Sequence, residues 1–210
     1  IGLGASGNGD IGSFIATNNT LNQITSTIVV TGTVNGCSGS SSYTITVNPS
    51  PQATASVNRP CVGQALIFSA APLGLPASNY DWTGPVNYVD TQNPTNPSAV
   101  VTDAGTYILT VTNANGCQDT ASVFVTINAL PVPIVGSNSP VCTGQTLNLT
   151  ASGGTISSWW GPNGFLSSSS NPSINNITQA ASGSYHLTIT DANGCIDSTS
   201  TIITINPLPV

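Results

Sequence analysis

The stretch TVTNANGCQDTASVFVTINALP, residues 110–131, recurs as TITDANGCIDSTSTIITINPLP at 188–209, and a diverged copy, VTGTVNGCSGSSSYTITVNPSP, occupies 30–51. Each copy runs through an Asn-Gly-Cys corner flanked by alternating residues, as in Tyr107-Ile108-Leu109-Thr110-Val111 before it and Ser122-Val123-Phe124-Val125-Thr126-Ile127 after it. Period-two alternation of β-branched and aromatic residues is the pattern of a half-buried strand. Asn115-Gly116 and Asn193-Gly194 fit two-residue hairpin turns, whose central residues take positive φ. No stretch has helical period, so the whole chain reads as β.

Working outward from the corner, PCVGQALIFSA (60–70) matches VCTGQTLNLTA (141–151), and YDWTGP (80–85) matches SWWGP (158–162). The cysteines of the corner, Cys37, Cys117 and Cys195, step by 80 and then 78 residues. Repetition on this scale is the mark of a tandem array. We divide the chain into a partial repeat one (1–48), repeat two (49–128), repeat three (129–207) and the start of a further linker (208–210). Aligning Cys37 with Cys117 sets Ile1 opposite Asp81, so repeat one lacks the counterpart of residues 51–80. It is expected to need upstream chain, or a strand from another copy, to cover its core. About 80 residues with some seven strands suits a β-sandwich. The joints Asn48-Pro49-Ser50-Pro51, Asn128-Ala129-Leu130-Pro131 and Asn206-Pro207-Leu208-Pro209 are short and stiffened by fixed φ. An extended, semi-rigid array is the expectation.

The charge count narrows function. Of 210 residues, seven are Asp, one is Arg59, and there is no Glu or Lys. An average domain is about one quarter charged; here 28 Thr, 27 Ser and 22 Asn keep the surface wet instead. With no Lys and one Arg there is no basic patch to displace counterions from a phosphate backbone, so no nucleic-acid partner is expected, and anionic lipid is disfavoured on the same ground. The pool for acid–base chemistry is His186 and scattered aspartates, so no enzyme and no catalytic residue is expected. Without C-x-x-C, a His cluster or a D-x-D-x-D-G loop, no metal site and no cofactor is expected. Neither a signal peptide nor a membrane-length apolar run occurs, and we read the chain as a mature exported piece of something larger, with no direct membrane insertion. Widely spaced Cys37, Cys61, Cys117, Cys142 and Cys195 in such a composition point to disulfides formed outside the cytosol.

His186 faces solvent by alternation, since Tyr185, Leu187 and Ile189 take the inward positions. The Thr44/Thr46, Thr110/Thr112 and Thr188/Thr190 pairs read as the wet faces of strands. Of the Trp159-Trp160 pair, one ring is buried and its neighbour exposed. We assign Trp160 to the core, and an exposed Trp159 beside Gly161-Pro162-Asn163-Gly164-Phe165 packs on an adjacent domain or stacks on a surface glycan.

The order Cys61, Trp82, Tyr107, Cys117 in repeat two, and Cys142, Trp160, Tyr185, Cys195 in repeat three, resembles the immunoglobulin plan, with Asp103-Ala104-Gly105-Thr106-Tyr107 similar to its tyrosine corner. The likeness implies an all-β fold of tandem immunoglobulin-like sandwiches, with Trp82, Tyr107, Trp160 and Tyr185 as core and corner residues. It also implies intradomain disulfides Cys61–Cys117 and Cys142–Cys195, relocated because each late cysteine lies ten residues past the tyrosine rather than two. Cys37 is then unpaired within the chain. Units that end in D-A-N-G-C followed by a T-x-T-x-T-x-N-P-L-P strand further resemble the tandem immunoglobulin-like or PKD-like repeats of Bacteroidetes cell-surface proteins, such as gliding-motility adhesins and other type IX secretion cargo. Asp119-Thr120-Ala121 and Asp197-Ser198-Thr199 resemble the O-glycosylation pattern of that lineage, which makes Thr120 and Ser198 candidate acceptors. Asn18, Asn148 and Asn176 open N-x-[ST] sequons.

The resemblance implies an extracellular, cell-surface or secreted stalk with structural and adhesive duty, its partners being neighbouring repeats of the same chain, other copies in a fibre, or surface glycans. A self-assembling filament subunit and a carbohydrate-binding module attached to a secreted enzyme are the alternatives.

Overall fold

A computed structural model describes residues 7–74 and 76–209. The described residues divide into two compact units, one lying within 1–59 and 64–126, the other within 60–63 and 127–210. The early-cysteine segment of repeat two thus belongs to the unit built from repeat three.

The first unit contains β1 (Ile24–Val34), β2 (Cys37–Val47), β3 (Ala55–Val57), β4 (Leu66–Ala70), β5 (Ala77–Thr83), β6 (Tyr88–Val89), β7 (Thr95–Asn96), β8 (Gly105–Asn113) and β9 (Gln118–Val125). β1 and β2 pair antiparallel from Ile24↔Val47 to Val34↔Cys37 around Asn35-Gly36, whose φ values of 50° and 82° make this the two-residue turn in which both central residues are left-handed. Among the described residues the hairpin has no third strand, and Val29, Val30, Val34 and Tyr43 are exposed. The rest of the unit is a three-stranded sheet, β3-β4-β7, and a four-stranded sheet, β6-β5-β8-β9. Alternation decides their inner faces: on β8 Tyr107, Leu109 and Val111 are buried while Ile108 is exposed. Phe68 on β4 reaches across to Trp82 on β5 and Tyr107 on β8, with ring centroids 5.0 and 4.8 Å apart. Tilted aromatic packing of this kind is the favoured geometry.

The second unit contains β10 (Ile134–Ser137), β11 (Val141–Cys142), β12 (Leu147–Ser152), β13 (Ile156–Gly161), β14 (Phe165–Ser167), β15 (Ser173–Ile174), β16 (Gly183–Thr190), β17 (Ile196–Ile203) and β18 (Ile205–Asn206). Its sheets are β10-β12-β15 and β14-β13-β16-β17, with β11 and β18 pairing in parallel. Leu147 and Leu149 from one sheet meet Trp159, Tyr185, Leu187, Ile189 and Ile203 from the other in a single core. Both units are all-β, two-sheet sandwiches.

Two expectations are corrected here. The buried indole of repeat three is Trp159, 1% exposed, and Trp160 is 51% exposed, the reverse of the assignment made from sequence. The reason is parity. A Cβ on Gly84 would lie 2.5 Å from the Tyr107 ring, and one on Gly161 would lie 2.7 Å from the Tyr185 ring. These glycines face the core, and the residues two before them, Trp82 and Trp159, face it too. Placing Trp160 inward is a one-residue slip, which flips every side chain of the strand.

The corners at Asn115-Gly116 and Asn193-Gly194 are three-residue loops, not two-residue turns. The Gly116 N–H donates to Asn113 O at 3.0 Å and the Asn113 N–H to Cys117 O at 3.0 Å, so Ala114, Asn115 and Gly116 lie between paired residues. Only the glycines take positive φ, 78° at Gly116 and 81° at Gly194, as in a type I turn closed by a glycine bulge.

Candidate functional site

The late cysteines are held by these corners. Asn113 Oδ1 accepts the N–H groups of Asn115 and Cys117, both at 3.0 Å, and Asp191 Oδ1 accepts those of Asn193 and Cys195 at 2.8 and 2.9 Å. An amide oxygen and a carboxylate oxygen do the same job, so Asn and Asp interchange at this position without moving the cysteine.

The early cysteines are held at the end of the last strand. Cys61 bridges Asn128 in parallel, with the Val62 N–H donating to Asn128 O and the Asn128 N–H to Pro60 O, each at 2.9 Å. Cys142 on β11 likewise pairs with Asn206 on β18, and the Thr143 N–H donates to Asn206 O at 2.9 Å.

This placement overturns the intradomain disulfides. Cys142 lies beside Asn206, whereas Cys195 precedes β17, eleven residues earlier on the same extended run. At about 3.3 Å per residue that separation is roughly 36 Å, and a disulfide tolerates at most about 7 Å between Cα atoms. Cys195 instead bonds Cys61, with Cα atoms 5.6 Å apart and 134 residues of sequence separation. Cys61 is therefore not joined to Cys117. Cys37, Cys117 and Cys142 are free; Cys37 and Cys142 are exposed and Cys117 is half-buried.

The corner tyrosines are buried and donate to backbone, Tyr107 Oη to Asp103 O and Tyr185 Oη to Ala181 O, both at 3.1 Å. The acceptor is a main-chain carbonyl, which explains why Ala181 replaces Asp103 without loss of the corner. The Asp103 carboxylate works elsewhere, accepting from the Val100 N–H and Asn96 Nδ2 at 2.9 and 2.8 Å. Tyr107→Phe and Tyr185→Phe are each expected to cost about 1 kcal/mol of stability, the usual net worth of such a bond, read as a lowered urea midpoint. Burial raises both phenols above their ordinary value of 10.0. The folded state then binds more protons than the unfolded state, so stability is complete below about pH 10 and falls as pH rises beyond it. An unfolding series from pH 8 to 12 checks this, and the Tyr185→Phe chain is expected to lose part of the alkaline fall.

The outer face of β13 and β16 carries Trp160 stacked on its cross-strand partner His186, centroids 3.7 Å apart and planes within 6°. Leu166 stands opposite Trp160 on β14 and is exposed. The corresponding pair in the first unit is Thr83 and Ile108. The sugar-stacking role considered for Trp159 loses its residue, because Trp159 is buried, and the exposed Trp160 has one face covered by imidazole.

Thr120 and Ser198 are exposed on β9 and β17, opposite Thr110 and Thr188. Asp119 Oδ2 accepts the Ala53 N–H at 2.8 Å, a structural bond tying the lead-in to β3 to the last strand. Asp197 Oδ1 accepts the Ser198 N–H at 2.7 Å. The Asn18 amide is committed: Nδ2 donates to Asn22 O and Val47 O, and Oδ1 accepts from Thr20. Asn148 and Asn176 are exposed. Among the described residues no group of three or more His, Cys, Asp or Glu side chains is placed to hold a metal, and no helix is long and apolar enough to cross a membrane.

No protein-family model and no curated protein matches the chain. Solved structures do. The N-terminal eight immunoglobulin domains of Down Syndrome Cell Adhesion Molecule match 87% of this chain at 15% identity and a TM-score of 0.52, and the chain spans 27% of that molecule's length. An amphioxus IgVJ-C2 molecule matches 69% of the chain and 98% of its own at 20% identity, TM-score 0.34. Three N-terminal domains of a bacteriophage highly immunogenic outer capsid protein match 74% of the chain and 59% of their own at 19% identity, TM-score 0.38. The likeness to the Down Syndrome Cell Adhesion Molecule domains is one of fold, and with the sheets, the core tryptophans and the two tyrosine corners it gives this chain an immunoglobulin-like β-sandwich fold.

Proposed function

We propose that the chain is a non-enzymatic structural and adhesive stalk segment of an exported surface protein of the bacteroidete repeat type, built to stay intact under tension. The observation that carries this reading is the Cys61–Cys195 bond. Tension entering at one end of the chain crosses from residue 61 to residue 195 through sulfur and bypasses everything between them, including β8, β9 and most of repeat three. Only the flanking segments are left to unravel. A surface wetted by hydroxyls and amides rather than ions suits such a stalk, since its hydration is insensitive to salt. The name of the fold relative Down Syndrome Cell Adhesion Molecule is in keeping with an adhesive role.

Single-molecule pulling from the two termini tests it. With 134 residues shielded, at about 3.5 Å each, reductant is expected to lengthen the fully extended chain by roughly 450 Å. Equal contour lengths with and without reductant overturn the reading.

The β1–β2 hairpin favours a second reading, a filament subunit. Its two edges, unpaired among the described residues, and exposed Val29, Val30, Val34 and Tyr43 form a template for a strand from another copy. Concentration-dependent fibres abolished by Val30→Lys support that reading; a monodisperse monomer at millimolar concentration removes it. Glycans on Thr120 and Ser198 belong to the same proposal, and an intact mass equal to the bare polypeptide excludes them.

A further inference from the structure

The Cys61–Cys195 bond joins the early cysteine of repeat two to the late cysteine of repeat three. Both halves of its setting recur. The backbone arrangement that presents Cys61, a parallel bridge to the terminal asparagine of its own repeat, is repeated at Cys142 with Asn206. The corner that presents Cys195, with Asp191 Oδ1 on its N–H, is repeated at Cys117 with Asn113. Repetition of the parts implies repetition of the bond. We propose that Cys61–Cys195 is one instance of a staggered crosslink, in which the early cysteine of each repeat is oxidised to the late cysteine of the repeat that follows it.

One rule then accounts for all five cysteines. It permits a single bond among the repeats present, Cys61 to Cys195. Cys142 calls for the late cysteine of a following repeat, and Cys117 and Cys37 call for early cysteines of preceding repeats. These three are the free cysteines. A rule of bonding within each repeat gives two bonds and one free thiol, at odds with the structure. Burial points the same way: Cys61 and Cys195 are 4% and 0% exposed, whereas Cys142, set in the same backbone frame as Cys61, is exposed at the surface. Formation of each bond breaks two Sγ–H bonds and makes one Sγ–Sγ bond. The two protons and two electrons pass to an oxidant of the disulfide class, which leaves as a dithiol.

The inference does not depend on the stalk reading, since a chain that fails it can still resist tension through the one bond described. The test is a chain lengthened by a second copy of residues 129–207 placed after residue 207, folded under oxidising conditions, alkylated, digested without reduction and mapped by mass. The expected result is near-stoichiometric linkage of Cys142 to the appended repeat's counterpart of Cys195, with Cys61–Cys195 retained and Cys37 and Cys117 alkylated. Alkylation of Cys142, or its linkage to Cys195, overturns the proposal. The same chain carrying Cys61→Ser guards against reshuffling: Cys195 is expected to alkylate rather than capture Cys142. In the 210-residue chain, covalent dimers joining Cys142 to Cys37 or Cys117 of a second copy assign the staple to contacts between copies, whereas a monomer with Cys142 alkylated assigns it to repeats within one chain.

Discussion

Cys61→Ser is expected to lower the stability of the unit that the disulfide closes by about 5 kcal/mol. The bond encloses a loop of 134 residues, and on the chain-entropy model the restriction it places on the unfolded chain grows with the logarithm of loop length, reaching about 5 kcal/mol at this size. Domains of this kind have net stabilities of about 5–15 kcal/mol, so the loss is decisive. Three comparisons isolate the cause. Cys195→Ser and the double variant are expected to match Cys61→Ser, because one bond is lost in all three. Cys142→Ser and Cys117→Ser are expected to stay within about 0.5 kcal/mol of the parent, the range of surface substitutions away from special features. Urea unfolding of the oxidised proteins, followed by near-ultraviolet circular dichroism, reads the midpoints. A fall in Cys142→Ser as large as that in Cys195→Ser would contradict the connectivity.

Much of this architecture is legible in the residues. The strands announce themselves because one face is buried and the other wet, so hydrophobic and hydroxyl residues alternate, and the repeats expose which segments are equivalent. The tyrosine corner is legible for the same reason: Tyr107 and Tyr185 sit at matching places in matching strands. The covalent frame is not. Cysteine spacing gives the length of a loop but not which end of a strand each thiol occupies, and that depends on where Cys61 and Cys142 dock. Their docking partners, Asn128 and Asn206, are visible in the sequence only as the residues before a proline-rich joint. The turn type was hidden in a side chain, since Asn113 and Asp191 lengthen the corner by holding two N–H groups. The choice between Trp159 and Trp160 was open to parity: counting two residues back from Gly84 and from Gly161 lands on Trp82 and Trp159. What defeats the eye is the adjacent second tryptophan, which has no counterpart in repeat two and owes its place to a stack with His186 on the outer face.

That distinction carries the second large effect. Trp159→Ala is expected to cost about 3–5 kcal/mol, the range for removing a large aromatic ring from a packed core, and to unfold the second unit at moderate urea. Trp160→Ala removes an exposed ring and one aromatic stack, worth about 0.5–1.5 kcal/mol, and is expected to leave the unit folded. Phenylalanine replacements separate the ring from its N–H. Trp82 Nε1 donates to Gln92 O at 3.3 Å, whereas Trp159 Nε1 is buried with no hydrogen-bond partner among the described residues. Trp82→Phe therefore strands a carbonyl while Trp159→Phe relieves an unmet donor, and unmet buried polar groups cost about 1–3 kcal/mol. Because both substitutions lose nearly the same volume, the difference between them reports the hydrogen bond, and Trp82→Phe is expected to be the more damaging of the two by about 1 kcal/mol. Equal losses in the two phenylalanine variants would show that the Trp159 indole N–H finds an acceptor in solution. A larger loss in Trp160→Ala than in Trp159→Ala would reverse the register of β13 and, with it, the face on which the core is built.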